Sequence, residues 1–307
     1  MKNTEQTKHK VLIVGCGDLG IRTAKLLVNI GREVVGARRK VSALPEYITP
    51  LALNLSQPET MEAVARQDWQ VVIVTLTADD YTEKAYKETY VQGLNRLLQV
   101  LERRSSTIDK ATRPLVLFAS STSVYHQDDG SCIDENSETA PSSFSGRCML
   151  EAEQLLAESL FPSVAVRFGG IYGSGRGGRL LTQLAQGKIC PDKPLKYSNR
   201  IHIEDCAALL VHLIQRHERS EPLSPIYLAV DNEPTPIREV MEWLASQMDI
   251  KLSGLTVTDS IQRGGNKRCK NKQLLEIGFQ FNHASYRQGY QSVLEEYVAG
   301  CINQRVE

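Results

Sequence analysis

The sequence predicts an α/β protein with a doubly wound parallel sheet and a smaller C-terminal lobe. Three observations carry this expectation. Short apolar runs alternate with amphipathic stretches as far as Phe168. A glycine turn joins the first run to the first amphipathic stretch. After about Gly173 the alternation loosens, and glycine and proline rise.

The first strand is predicted over Val11-Leu12-Ile13-Val14, and the amphipathic stretch Ile21 to Ile30 is the first helix. Between them runs Gly15-Cys16-Gly17-Asp18-Leu19-Gly20. Strand, glycine turn and helix in that order grip a dinucleotide pyrophosphate. Gly15 permits the tight turn, Gly17 lets the phosphates approach the backbone, and Gly20 lets the helix pack on the strand. The N–H groups of the helix start, from Asp18 and Leu19 onward, face the negative charge. The second strand, Glu33 to Arg39, sets the choice of dinucleotide. An NAD-preferring fold places an acidic residue there for the ribose 2′-hydroxyl. Here Arg38 holds that place and Arg39 follows, and a guanidinium attracts a 2′-phosphate that a carboxylate would repel. The expected cofactor is NADP(H), with NAD(H) as the alternative.

Val71 to Thr75 is β-branched and reads as a buried parallel strand. The polar segment Thr75 to Asp80 after it could line the cofactor's ribose side. Glu83 to Arg104 reads as a long helix with Val91, Leu94, Leu97, Leu98 and Leu101 on one stripe. Leu115 to Ala119 is the next strand, Gly146 to Leu160 the next helix, and Val164 to Phe168 a further strand. These repeated units make the sheet Rossmann-like, with ligands at the carboxyl ends of its strands. The expected division is 1–172 for the dinucleotide-binding domain and 173–307 for the mixed α/β lobe, with late elements free to return to the main sheet.

Composition excludes several classes. The chain has 307 residues, with 36 Lys plus Arg against 36 Asp plus Glu, so its formal net charge is zero. Nothing in that balance calls for a nucleic acid or a membrane surface as partner. No apolar run approaches the roughly 20 residues that span a bilayer. Met1 to Lys10 is polar and does not read as a secretory signal. Seven scattered cysteines with no C-x-x-C spacing argue against disulfides and zinc, no metal is expected, and the cytoplasm fits.

Four further motifs stand in order: Ser120-Ser121-Thr122-Ser123-Val124-Tyr125, Arg167-Phe168-Gly169-Gly170-Ile171-Tyr172-Gly173, Asn199-Arg200-Ile201-His202-Ile203-Glu204-Asp205 and Tyr227-Leu228-Ala229-Val230-Asp231. Through them nearly the whole chain resembles the extended short-chain dehydrogenase/reductases, the NAD-dependent epimerases and dehydratases. The resemblance implies a small-molecule substrate held by the C-terminal lobe. It also implies a homodimer formed by the helices at 83–104 and 146–160. Ser121 matches the family's serine that hydrogen-bonds the reacting oxygen.

Two departures qualify the resemblance. Most such proteins carry G-x-x-G-x-x-G, whereas this chain has the shorter glycine turn. The family's chemistry uses a tyrosine acid/base and a lysine four residues later. Anchored on Glu153, an alignment puts Ser145 at the tyrosine and Met149 at the lysine. Pro141 to Ser163 holds neither residue type, and no Tyr-x-x-x-Lys occurs anywhere. Tyr172 is the alternative proton donor, against a structural aromatic at that place, and Tyr125 reads as packing. Ser145 and the basic loop Gly173–Arg179, with Arg176 and Arg179, are substrate-side candidates. Arg200 and His202 join them, with a half-buried structural role as the alternative for His202, and Asp205 reads as a helix cap. Two functions remain open: an atypical NADP(H)-dependent oxidoreductase or epimerase acting on a small anionic substrate, and a non-catalytic NADP(H)-binding sensor.

Overall fold

The computed structural model describes residues 9–105, 113–176, 178–259 and 265–305, without the side chains of 104–105 and 301–305. Most of the polar lead at 1–8, Gly177 of the basic loop and the Cys301 side chain therefore lie outside the described residues. The chain forms two compact units. The first comprises Met1–Val124, Pro141–Arg167 and Ala207–Tyr227, and the second Tyr125–Ala140, Phe168–Cys206 and Leu228–Glu307. Where the sequence suggested one boundary near 172, the chain passes between units repeatedly, because helix Ile203–Glu218 and strand Ile226–Ala229 follow the basic loop yet belong partly to the first unit.

A seven-stranded sheet runs in the order Ile226–Ala229, Ser163–Phe168, Leu115–Ser121, Val71–Val74, Lys10–Val14, Glu33–Arg38, Thr49–Ala52. Lys10–Val14 pairs in parallel with both Glu33–Arg38 and Val71–Val74, and the order of connection reverses between those neighbours. That reversal opens a crevice at the strands' carboxyl ends. Val11 to Val14 and Val71 to Val74 are almost fully buried, as strands covered on both faces must be. The edge strand Thr49–Ala52 gave no sequence signal: it is largely exposed and carries Pro50, a residue that only an edge tolerates.

The helix expected over 83–104 is one helical run with a wider turn inside it. Glu83–Tyr86 is α, Lys87–Gln92 is π, and Gly93–Ser105 is α again. Its apolar stripe, Leu94, Leu97, Leu98 and Leu101, is buried as the periodicity required. Helix Phe144–Glu158 begins two residues earlier than expected because the Ser143 side chain caps it, accepting from the Gly146 N–H.

In the second unit, helices Gly178–Ala185 and Ile237–Gln247 share an apolar core with the start of Tyr286–Arg305. Short strand pairs, such as Arg200–His202 with Gly170–Tyr172, brace the loops around it. No helix among the described residues is long and apolar enough to cross a membrane.

Candidate functional site

In the first unit a cavity of about 660 Å³ opens at the end of strand Lys10–Val14. Gly15, Gly17, Arg38, Arg39, Thr77 and Asp79 are among its lining residues. Gly15 holds φ +78°, and a Cβ there would lie 2.8 Å from the Thr75 carbonyl oxygen, so the turn admits no side chain. A Cβ on Gly17 would meet nothing nearer than the Gly15 oxygen at 3.7 Å, so the missing side chain leaves space beside the backbone. Gly17 is also the N-cap of helix Asp18–Asn29, with no side-chain cap bond, and its open backbone suits an anion. Gly20 is pressed against Ile13 and Cys16, which fixes the helix on the strand. Asp18 pairs with Arg22 at 2.8 Å, and Leu19 is buried. The cradle fits a dinucleotide pyrophosphate.

At the far lip, Arg38 ends strand Glu33–Arg38 and donates through Nη1 to the Cys16 carbonyl at 3.2 Å. The guanidinium is thereby drawn toward the turn. Arg39 is more exposed and forks onto the Asp79 carboxylate, with one bond of 2.7 Å. This pairing holds the Asp79 carboxyl below its usual range and the Arg39 guanidinium above its own. An acidic residue therefore does reach this lip. It arrives from the loop after Val71–Val74, not from the second strand where sequence reasoning looked for one.

On the other side of the glycine turn lies a group of hydroxyls. Ser121 ends strand Leu115–Ser121, and its Oγ accepts the Ser123 N–H at 3.1 Å, leaving its own O–H to donate. The preceding Ser120 donates to Glu153, which also accepts from buried Arg167 at 2.7 and 3.0 Å. This buried ion pair ties the strand end to helix Phe144–Glu158 and strand Ser163–Phe168. The helix start is tight against the Ser121–Ser123 turn: a Cβ on Gly146 would lie 2.3 Å from the Ser123 carbonyl oxygen. Ser145, 8% exposed, donates to Ser143 at 3.2 Å and lies 3.3 Å from the Tyr81 hydroxyl. Met149, one turn further on, is 5% exposed and packs in the core. Glu153, which sequence reasoning used only as an alignment anchor, proves to be the residue that positions the strand end. Tyr81 was missed altogether, because a lone tyrosine in a polar loop carries no periodic or motif signal.

Other candidates belong to the second unit. The Tyr172 side chain is 4% exposed, stacks on Tyr290 at 4.7 Å and lies against the Gly289 backbone, so burial pushes its hydroxyl far above the usual phenol range. Arg200 is 4% exposed, 3.9 Å from the Asp231 carboxylate and over the Tyr286 ring. Burial raises Asp231 to about 7. His202 is buried and stacks on His283 at 3.7 Å. Arg176 and Arg179 are exposed, and a Gly173–Arg176 bridge shapes their loop. Asp205 does not cap a helix start. Helix Ile203–Glu218 already begins before it, and its buried carboxylate instead accepts from the Asn282 and His283 N–H groups and meets His283 Nδ1 at 3.1 Å.

Ligand atoms of His202, Glu204 and His283 lie within 4.8 Å of one another. The arrangement suits packing better than a metal. His202 Nδ1 accepts the Glu204 N–H at 3.4 Å, its Nε2 faces the Gly173 backbone, and His283 Nδ1 is committed to Asp205.

A family model described as the NAD dependent epimerase/dehydratase family matches residues 11–227. Among solved structures, a Methylobacillus flagellatus protein named for the NAD-dependent epimerases/dehydratases is 32% identical, over 95% of this chain and 99% of its own, with a TM-score of 0.77. MoeE5, solved with UDP-glucose and NAD, is 20% identical over 95% and 99%, with a TM-score of 0.74. WbmG of Bordetella bronchiseptica, solved with NAD, is 16% identical over 97% and 96%, with a TM-score of 0.76. The last two share the fold. No curated protein matches the chain.

Proposed function

We propose, from the premise that this chain belongs to the NAD-dependent epimerase/dehydratase family, that it is an NADP(H)-dependent oxidoreductase or epimerase that acts on a small anionic substrate without a Tyr-x-x-x-Lys pair. The observation that carries the cofactor reading is Arg38, on the lip of the glycine-turn cavity where an acid would favour NAD(H). MoeE5 and WbmG hold NAD in the same fold, which supports the dinucleotide and leaves the 2′-phosphate to Arg38. MoeE5 also holds UDP-glucose, an anionic small molecule, which supports the substrate class.

In this reading the bound dinucleotide supplies or accepts the hydride. Asp18 and Leu19 would hold the pyrophosphate with backbone N–H groups beside the open backbone of Gly17, whose own N–H donates to the Gly15 carbonyl at 2.6 Å, and Arg38, with Arg39 next to it in the chain, would hold the 2′-phosphate. The free Ser121 O–H donates to the substrate's reacting oxygen. Ser145 offers a second hydroxyl in the same unit. Within the second unit, the loop that carries Arg176 and Arg179 offers guanidinium donors suited to an anion. The burial of Tyr172, Arg200 and His202 supports packing roles for them, and none takes part in a proton step here.

A second reading, a sensor that binds NADP(H) without turnover, is favoured by the absence of tyrosine and lysine from helix Phe144–Glu158. One experiment separates the two. Fluorescence titration of NADPH and NADH is followed by a screen of carbonyl substrates with NADPH and of nucleotide sugars with NADP+, using wild type and Ser121→Ala. The enzyme reading expects tighter NADPH binding and turnover that Ser121→Ala abolishes, with cofactor affinity unchanged within a few-fold. Full turnover in Ser121→Ala would remove Ser121 from the mechanism. NADPH binding with no turnover across the screen would favour the sensor. We also propose a cytoplasmic homodimer, in which helix faces of the first unit pair between copies.

A further inference from the structure

We propose that Tyr81 is the proton donor and acceptor of this site, a phenol supplied by the loop after strand Val71–Val74 in place of one on helix Phe144–Glu158. The inference rests on the cofactor reading above and deepens it. Its geometry lies wholly in the first unit. The Tyr81 hydroxyl is 3.3 Å from Ser145 Oγ, and Ser145 donates onward to Ser143 at 3.2 Å. In a Tyr81→Ser145→Ser143 chain the Tyr81 and Ser145 hydroxyls each donate once, and Ser143 accepts at its end. The ring is held at its edges, 4.9 Å from Phe144 and 5.5 Å from Tyr86, while the residue stays 70% exposed. The charged residues beside it in the chain are Asp79, paired with Arg39, Asp80, Glu83, paired with Arg147 at 3.6 Å, and Lys84, and no lysine ammonium is placed against the phenol among the described contacts.

Position in the sheet supplies the second argument. Arg38 and Asp79 mark one lip of the cavity, on the Glu33–Arg38 side of Gly15. A dinucleotide held by Arg38 and the glycine turn would have its reacting end on the Val71–Val74 and Leu115–Ser121 side. Those two strands are neighbours: Ser121 is the last residue of one, Tyr81 follows the end of the other by seven residues, and Ser145 lies in the first turn of the helix packed on the Ser123 carbonyl. In a reduction, Tyr81 would give its proton to the substrate's carbonyl oxygen, while the reduced cofactor would supply the hydride to the carbonyl carbon. The products would be an alcohol, an oxidised cofactor and a phenolate, to which Ser145 can donate once its hydroxyl turns from Ser143 toward Tyr81. Water then returns the proton to the exposed ring. Oxidation runs the same steps backward. The positive charge of the oxidised nicotinamide is the cation that favours the phenolate.

The test reads Tyr81 without a substrate. The near-ultraviolet phenolate absorbance of wild type minus that of Tyr81→Phe reports this one phenol. Phenylalanine keeps the ring contacts and removes only the hydroxyl. At about pH 9.5 a free phenol is roughly one-quarter ionised. Saturating NADP+ should raise the difference signal about threefold, as a roughly tenfold change in the ionisation constant requires. NADPH, with its uncharged ring, should leave the signal unchanged, and Tyr86→Phe should retain the NADP+ effect. An unchanged signal with NADP+ shown bound by sedimentation overturns the role of Tyr81 and leaves the cofactor reading standing. Failure of NADP+ to bind at all overturns both.

Discussion

Replacing Arg38 tests the cofactor assignment at its most exposed joint. Its guanidinium is half-buried, with Nη1 anchored on the Cys16 carbonyl at 3.2 Å, so the fork is oriented before any ligand arrives. One charge-assisted hydrogen bond to a phosphate contributes about 1.5–3 kcal/mol. Coulomb attraction at about 4 Å gives a compatible range, roughly 1 kcal/mol in water to 4 kcal/mol near a protein surface. NADPH should therefore bind about 10- to 150-fold more tightly than NADH. Arg39 adds less, because Asp79 already engages it. That pair is more than half exposed on both sides and contributes little on its own. Fluorescence titration of both reduced cofactors should show Arg38→Ala bringing the two affinities within a few-fold of each other, with NADH little changed. Asp79→Asn should widen the preference by freeing Arg39, and salt should narrow it. Equal affinities in the wild type, or a preference untouched by Arg38→Ala, would refute the reasoning.

Four further outcomes can be measured. Glu153→Gln leaves the Arg167 guanidinium buried without a countercharge and should cost about 3–5 kcal/mol in urea unfolding. Gly146→Ala drives a methyl group to 2.3 Å from the Ser123 oxygen, so it should lower the melting temperature and weaken any turnover that depends on Ser121. Burial raises Asp231 to about 7 from an ordinary 3.8, so the folded state holds a proton that the unfolded chain has lost. Its stabilisation is complete below about pH 4 and is lost as pH rises toward and through 7, and Asp231→Asn should flatten that part of the melting curve against pH. Sedimentation at micromolar concentration should show a dimer, and a monomer would remove that proposal.

The sequence by itself determined the inner strands of the sheet and the glycine turn at the end of the first. Parallel strands covered on both faces must be continuous apolar runs, and a turn with φ +78° against the Thr75 carbonyl must be glycine, so both leave a local signature. The buried stripe of helix 83–105 was legible for the same reason, since its period is a local property. Its π turn at Lys87–Gln92 was not, nor was the proline-bearing edge strand, which buries too little to leave a pattern. Tertiary structure alone decided the rest. It set Asp79 opposite Arg39, 40 residues away in the chain. It also put the Tyr81 phenol on Ser145 and tied Ser120 to Glu153. A hydrogen bond between distant residues depends on where packing carries two strand ends and a helix start. Neither partner's neighbours in sequence record it, so a helix without tyrosine or lysine looked bare until the fold brought a tyrosine to it.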